Sequence, residues 1–239
     1  NRVWGINLAL YALESDRNSG IGDFQDLADV AGMAGQVGAA VVGVNPIHSM
    51  GFVDTSISAY SPSHRGFLNT THIALDTIPG LDGSAKARSV LTRNAGAMDS
   101  LRRSSDVPHQ PHKAMVDRLL DSLYRAFDQE APAHVQNLFR AFVDIAGAEL
   151  EKFATCETIS EQQGPDWRDW DETDQADANP DRVQFHKWLQ WVATVQLDNA
   201  QNKAKSADLA LGLYIVLAVG QRRSGAESWC VWACIALGV

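Results

Sequence analysis

The sequence predicts an α/β fold that begins with a parallel βαβ unit and continues into a helical middle part. Within residues 4–46, two apolar runs of strand character flank a glycine-rich turn and an amphipathic segment. From residue 84 to about residue 163, the apolar residues recur at helical spacing and strand signals are few. With 239 residues, 45% of them hydrophobic, the chain is long enough for one large domain or two small ones.

The first strand is predicted at residues 4–13, WGINLALYAL, which are apolar enough and alternate well enough to form a buried strand. After the glycine-rich turn, Asp23 is placed to cap a helix, and Asp26 lies in its first turn, where a carboxylate favours the helix dipole. The apolar stripe of this helix comprises Phe24, Leu27, Val30, Ala31 and Ala34.

The second strand is predicted at residues 39–46, AAVVGVNP, because a continuous apolar run is typical of a parallel strand buried on both faces. Such a crossover is expected to be right-handed. Residues 58–69, SAYSPSHRGFLN, follow as a loop, since Pro62 is compatible neither with a helix nor with a central strand.

The rest of the chain is mostly helical. Helices are predicted around residues 116–127 and 133–154, and a long helix at 182–206, with Trp188 and Trp191 in the core. Residues 164–180 are acidic, rich in helix breakers and aromatic, and are therefore expected to form an exposed loop. One further buried strand is predicted near the end of the chain, at residues 210–220, ALGLYIVLAVG.

We therefore predict three consecutive segments. Residues 1–80 form the first βαβ part with its loop, residues 81–180 a helical insertion subdomain, and residues 181–239 a helix, the following strand and a divergent tail. The last stretch of this tail, residues 229–239, is apolar and uncharged, which makes it a candidate aggregation segment.

Composition narrows the classes of partner. The net charge of −9 disfavours nucleic acid or an anionic membrane as the main partner, whereas a neutral ligand is compatible with it. No apolar segment approaches the ~20 residues that a membrane span requires. The first residues, NRVWGINLAL, lack the basic region and cleavage site of a signal peptide, so none is expected.

The cysteines and histidines give weak metal signals. Cys156, Cys230 and Cys234 are too few and too oddly spaced for a disulfide framework, which favours a reducing cytoplasm, and their spacing is a poor zinc signature. At residues 109–112, HQPH, we expect Pro111 to disrupt any helical spacing of the two histidines. No metal is predicted.

Several phrases, in order along nearly the whole chain, resemble the first part of the catalytic barrel of bacterial 4-α-glucanotransferases, the amylomaltases of glycoside hydrolase family 77. They are WGINLALYALESDRNSGIGDFQDL, VVGVNPIHSM, SAYSPSHRGFLN, WRDW, FHKWLQWVATVQL, GLYIVLAVG and GAESW. The resemblance implies a partial (β/α)₈ TIM barrel with a helical insertion subdomain. It also implies transfer of α-1,4-glucan segments between maltooligosaccharides by a retaining mechanism, with no cofactor.

The resemblance also suggests substrate-binding residues. Tyr60 matches a family tyrosine that stacks on a glucose ring, and an aromatic face suits the C–H face of a pyranose; a buried, loop-stabilising tyrosine is the alternative. Ser58 and Asn45 are further substrate-binding candidates. His48 is another, because Asn45 and His48 follow the second strand at the active face of a barrel. Equally, His48 could hold the loop at residues 47–66 in place.

Two residues are expected to support loops. Arg65 could pair with an acid to anchor its loop, and Asp23 could cap its helix or reach a ligand. Trp167 and Trp170 could form a sugar platform, although a hydrophobic hinge for the inserted helices is the favoured alternative.

Some positions depart from the family pattern. Ala59 stands where the family has proline, which should make the loop less stiff. Ile215 and Val216 stand where the family has arginine and aspartate, and a valine cannot accept a hydrogen bond.

The resemblance places the nucleophilic aspartate and the acid/base glutamate beyond Val239, so no catalytic residue is predicted in this sequence. We therefore expect a fragment that is inactive alone. The alternatives are a non-catalytic maltooligosaccharide-binding module and a helical interaction protein.

Overall fold

A computed structural model describes residues 3–170 and 178–230 of the chain. The predicted aggregation segment lies outside these residues apart from Trp229 and Cys230, and so does Cys234; the predicted acidic loop is described only in part. The helices and strands are, in order, β1 (Gly5–Leu8), α1 (Phe24–Gln36), β2 (Val41–Val44), β3 (His48–Ser49), β4 (His64–Leu68), α2 (Ala85–Arg102), α3 (His109–Glu130), α4 (Ala133–Gln163), α5 (Pro180–Ser206), β5 (Gly212–Ile215) and α6 (Ala226–Cys230).

The chain divides into two compact units, each assembled from three separate stretches. Unit 1 comprises Asn1–Ile47, Thr71–Val135 and Val192–Val216. Unit 2 comprises His48–Thr70, Gln136–Trp191 and Leu217–Val239. Because this grouping follows spatial proximity rather than order along the chain, the three consecutive segments expected from the sequence stay a prediction.

Unit 1 contains a parallel sheet in which β2 lies between β1 and β5. Val41 pairs with Gly5 on one side and with Gly212 on the other. The prediction of two parallel strands joined by a helix is therefore confirmed. So is the burial of the second strand, since the side chains of Val42 and Val44 are completely buried.

The predicted burial of the first and last strands is wrong. Most of β1 is exposed, including Ile6, and Tyr214 of β5 is 62% exposed. Each of these strands has one hydrogen-bonded neighbour among the described residues, whereas β2 has two. The outer positions therefore leave apolar side chains open to solvent that a central strand would cover.

Helix α1 begins where the sequence indicated. Asp23 is its N-cap residue, and its carboxylate accepts hydrogen bonds from the backbone N–H groups of Gln25 and Asp26. The Asp26 carboxylate accepts one in return from the Asp23 N–H at 3.0 Å. A cap of this kind stabilises a helix by about 1 kcal/mol. Phe24 and Leu27 are fully buried, and each contributes roughly 1.5–3 kcal/mol by leaving water.

Helices α2 and α3 also belong to unit 1. The apolar stripe of α3 is buried, with Leu119, Leu120 and Leu123 toward the core. The prediction that Pro111 disrupts helical spacing is wrong, because residues 109–112 form the first turn of α3, where a proline sacrifices no hydrogen bond. Within residues 3–170 and 178–230, no group of three or more His, Cys, Asp or Glu side chains is arranged to hold a metal ion.

Helix α5 contributes residues to both units, and two of its glutamines each hold the backbone of one residue in their own unit. In unit 1 the Gln196 amide accepts a hydrogen bond from the Ala74 N–H at 2.9 Å and donates one to the Ala74 carbonyl at 2.8 Å. In unit 2 Gln190 does the same with Leu68, at 2.9 and 3.0 Å. Trp188 and Trp191 are buried, as predicted.

Unit 2 contains an antiparallel pair, β3 and β4. His48 lies opposite Leu68, and the register shifts between His48 and Ser49. Helix α4 is interrupted at Gly147, whose φ of 57° is a conformation that favours glycine. No helix in the described part of the chain is both long and apolar enough to cross a bilayer.

Candidate functional site

The segment between β3 and β4, residues 50–63, is termed the Tyr60 loop. At its tip the Ser61 N–H donates a hydrogen bond to the Ser58 carbonyl at 3.0 Å, so residues 58–61 form a β-turn with Ala59 and Tyr60 at its centre. Tyr60 is 64% exposed. The tyrosine is therefore not the buried, loop-stabilising side chain that was the alternative to a sugar contact.

The tip combines an exposed ring with hydroxyl groups. Ser58 and Ser61, at the two ends of the turn, are both exposed. A phenol ring offers an apolar face, and serine hydroxyls both donate and accept hydrogen bonds. This surface has the chemistry needed to contact a small polyhydroxylated ligand.

The base of the Tyr60 loop is held by Arg222. The Arg222 N–H donates to the Pro62 carbonyl at 2.9 Å. Its guanidinium forms an ion pair with Asp54 and donates to the Met50 carbonyl. Arg222 therefore contacts the loop both before its tip, at Met50 and Asp54, and after it, at Pro62.

Ser63, at the end of the loop, is buried and receives two backbone hydrogen bonds. Its hydroxyl accepts from the Ala226 N–H at 2.8 Å, and its carbonyl accepts from the Glu227 N–H at 2.9 Å. The backbone of Gly225 comes so close that a Cβ there would lie 2.5 Å from the Ser63 carbonyl oxygen. Only glycine allows this approach.

Arg65 has an acidic partner, as the sequence suggested, and that partner is Glu227. The Glu227 carboxylate accepts hydrogen bonds from the Arg65 backbone N–H at 2.8 Å, from Nε at 3.0 Å and from Nη2 at 2.6 Å. Burial alone would raise the pKa of Glu227, but the hydrogen bonds and charge of Arg65 lower the pKa below its ordinary value. Glu227 is therefore ionised at neutral pH.

His48 is buried in β3, within unit 2. Its Nε2 accepts a hydrogen bond from the Ala218 N–H at 3.2 Å. Burial lowers the pKa of His48 from its usual value, and a hydrogen bond to the Arg65 backbone opposes this only in part. The ring is therefore neutral near pH 7, and it already hydrogen-bonds both the segment after β5 and the Arg65 backbone.

The side chain of Asn45, which belongs to unit 1, also hydrogen-bonds backbone groups. Its Oδ1 accepts from the Leu10 N–H at 2.7 Å, and its Nδ2 donates to the Pro46 carbonyl at 3.0 Å. The side chain thus ties together the chain segments that follow β1 and β2, and one amide hydrogen remains for another acceptor.

Asp23, also in unit 1, forms an ion pair with Arg17. Burial raises the pKa of Asp23 to about 6, because the hydrogen bond and charge of Arg17 offset the loss of water only in part and Asp26 adds repulsion. Together with its capping bonds, these contacts give Asp23 a supporting role in its own unit.

The tryptophans after α4 make packing contacts in unit 2. Trp170 packs against the buried cluster of Phe153, Cys156 and Ala226. The Trp167 Nε1–H donates to the Ser228 hydroxyl at 2.9 Å. These contacts favour the structural alternative over a sugar platform.

The sequence reasoning missed three residues of this site: Asp54, Arg222 and Glu227. The available signal was the phrase GAESW, residues 225–229, which contains Glu227 but does not reveal the partner of its charge. Arg65 and Glu227 are 162 positions apart, and a single sequence carries no information on which charges meet over such a distance.

Comparison with solved structures places this fold among the amylomaltases. The structure is similar to the amylomaltase from Corynebacterium glutamicum, with a TM-score of 0.83 and 26% identity, over 97% of this chain and 32% of that one. The fold is also similar to that of the Streptococcus agalactiae amylomaltase in complex with acarbose, with a TM-score of 0.80 and 15% identity, over 100% of this chain and 48% of that one. The chain is thus an α/β protein of the amylomaltase structural class.

Sequence comparisons identify the family. The family model described as 4-alpha-glucanotransferase, glycoside hydrolase family 77, matches residues 8–238, and the chain belongs to this family. The chain is 31% identical to the 4-alpha-glucanotransferase of Mycobacterium tuberculosis, over 100% of this chain and 35% of that protein. It is 28% identical to the Haemophilus influenzae 4-alpha-glucanotransferase over 95% of this chain and 36% of that protein. The chain therefore spans about a third of the length of these relatives.

Proposed function

We propose that this chain is part of an enzyme that transfers α-1,4-glucan segments between maltooligosaccharides by a retaining mechanism, and that the Tyr60 loop supplies a sugar contact. The observation that carries the proposal is the exposed Tyr60 on a firmly held loop, in a chain that belongs to the 4-alpha-glucanotransferase family. In such a reaction a carboxylate displaces the leaving sugar to form a glycosyl-enzyme, and an acceptor sugar hydroxyl then releases it.

The fold proposed for the complete enzyme is a (β/α)₈ TIM barrel with a helical insertion. The parallel order β1-β2-β5 supports this, as does the similarity in fold to amylomaltases. Loops after the C-terminal ends of barrel strands form the active face in this fold. Asn45 follows β2 directly, which is the expected position for a residue at that face.

Within this proposal, Tyr60 and Ser58 contact sugar directly, and His48 holds the backbone of unit 2 through the contacts described above. Asn45 is proposed as a further substrate-binding residue, because of its own position after β2 in unit 1. Arg65 supports the loop, and Asp23 supports its own unit. The catalytic carboxylates are proposed to lie beyond Val239, following the resemblance. Val216 stands where the family has aspartate. Its side chain cannot accept a hydrogen bond, and its backbone N–H donates to the Val44 carbonyl at 2.9 Å.

Two other functions were open from the sequence. A non-catalytic maltooligosaccharide-binding module would use the same loop without turnover, and a helical interaction protein would not bind sugar at all. The family match disfavours the second. The cysteine spacing supports the reducing cytoplasm as the working compartment, and neither nucleic acid nor membrane is proposed as a partner.

Titration calorimetry with maltotetraose tests the sugar contact. Tyr60→Ala should weaken binding roughly tenfold or more, because it removes an exposed aromatic platform worth about 1.5 kcal/mol. Tyr214→Ala is the matched control, since Tyr214 is exposed to nearly the same extent but lies in β5 of unit 1. Equal affinities for the parent chain and Tyr60→Ala would contradict the proposed contact.

A disproportionation assay tests the placement of the catalytic carboxylates. The 239-residue chain, incubated with maltotriose, should release no glucose and form no longer glucans. Conversion of maltotriose by the purified chain would show that the catalytic acids lie within it.

A further inference from the structure

We infer that residues 222–227 act as a clamp that fixes the conformation of the Tyr60 loop, and that Glu227 is a positioning residue for the sugar contact. This inference rests on the proposed function, because it explains how this site is kept in a binding conformation. The clamp and the loop both belong to unit 2.

The clamp contacts the loop on both sides of its tip. Before the tip, Arg222 pairs with Asp54. After the tip, Arg222 and the backbone of Ala226 reach Pro62 and Ser63. The exposed tip between these anchors therefore has both of its ends fixed by one short segment of chain.

Glu227 completes the clamp with the strongest kind of contact. Hydrogen bonds between ionised groups are about twice as strong as neutral ones, and here one carboxylate accepts from both the backbone and the guanidinium of Arg65. Arg65 in turn donates to the Val219 carbonyl at 3.1 Å. Loss of the carboxylate would therefore release both β4 and the segment before the clamp.

The tip itself is weakly ordered by local contacts. Its turn is closed by one backbone hydrogen bond, from Ser61 to Ser58, and its centre holds Ala59 where proline would fix φ. With so little local restraint, the population of the binding conformation depends on the anchors at the base. Apparent affinity scales with that population.

Hydrogen exchange and calorimetry on the 239-residue chain test the inference together. Glu227→Gln keeps the shape of the side chain but removes its charge. It should speed amide exchange in residues 55–61 by about threefold or more and raise the Kd for maltotetraose roughly three- to tenfold. Glu149→Gln is the control, because Glu149 lies in the same unit with a side chain that is 70% exposed.

A rescue experiment separates positioning from general stability. Ala59 occupies the second position of the turn, where proline is favoured. Ala59→Pro, added to Glu227→Gln, should restore the Kd to within about twofold of the parent value by ordering the tip directly. A merely structural role of Glu227 would leave the Kd of the double variant as weak as that of the single one.

The outcomes are distinguishable. Unchanged exchange at residues 55–61 in Glu227→Gln overturns the clamp whether or not sugar binds. Faster exchange with an unchanged Kd overturns the positioning role. A parent chain that gives no saturable heat with maltotetraose refutes the proposed function, and with it the role of Glu227 in sugar binding.

Discussion

The buried histidine His112 provides a test of the structure that is independent of its function. Its side chain lies in α3 with only 2% of its surface exposed, and its Nδ1 has no hydrogen-bond partner. Burial, together with the nearby charges of His72, His109 and Lys113, lowers its pKa to about 3. The folded chain therefore keeps His112 neutral at a pH where the unfolded chain protonates it.

The sign and size of the effect on stability follow from the pKa of His112 in the folded chain, about 3, and its ordinary pKa in the unfolded chain, about 6.5. Below the unfolded pKa of about 6.5, the unfolded state binds a proton that the folded state does not, so the free energy of unfolding falls as the pH falls. At pH 4.5 the loss is about two pH units times 1.36 kcal/mol, or roughly 2.7 kcal/mol. That is a large share of the stability of a typical domain.

His112→Phe removes this titration and keeps a ring of similar size. Urea unfolding, followed by tryptophan fluorescence, should show that the stability lost between pH 7.5 and pH 4.5 is about 2–3 kcal/mol smaller in the variant. His72 is also buried, with its pKa lowered by burial to about 4, so part of the acid sensitivity should persist. His134→Phe, at an exposed position of unit 1, is the control.

The reasoning fails if His112→Phe and the parent chain lose the same stability over this pH interval, within about 0.5 kcal/mol. The same result would mean that His112 is accessible to water or gains a proton acceptor. At pH 7.5 the two proteins should differ by less than about 1.5 kcal/mol, because the swap nearly conserves volume.

Substitutions at three positions test local features by urea unfolding. Gly225→Ala should destabilise the chain by about 1–3 kcal/mol, because its Cβ would overlap with Ser63. Gly96→Ala, with open space around it in α2, should stabilise the chain by up to about 1 kcal/mol. Equal effects of the two substitutions would contradict the close approach of Gly225 to Ser63. Asp23→Ala should cost about 1 kcal/mol by loss of the α1 cap, and Asp23→Asn much less. Equal losses would show that the cap is not what Asp23 contributes.

The parts of the fold that the sequence predicted are those fixed by local periodicity. Helix α1 is specified by a capping aspartate followed by an apolar stripe, and both signals lie within a few turns. The continuous apolar run of β2 indicates burial on both faces, because no polar residue interrupts it. The burial of Trp188 was also predictable locally, since Phe185, Trp188 and Leu189 recur at helical spacing and are all buried.

The exposure of the outer strands could not be predicted in this way. Residues 4–13 and 210–220 are as apolar as a central strand, but burial depends on which elements cover a strand, and this is a non-local property. Pro111 shows a different limit, since the same residue breaks a helix in its interior and is tolerated in its first turn. The prediction for Pro111 was wrong because it misjudged where the helix begins, and not because it misjudged the helix propensity of proline.

The departure at Ala59 and the contacts of Glu227 have a common physical meaning. A proline in place of Ala59 would restrict the unfolded chain and favour the turn by about 0.4–1 kcal/mol. A chain that lacks this restraint can still hold the tip in one conformation if its ends are fixed more firmly, and the charged hydrogen bonds between Arg65 and Glu227 are strong enough to do so. We therefore propose that the local sequence of the loop provides the ring for a sugar contact, and that a segment about 160 residues away determines how often that ring is in position.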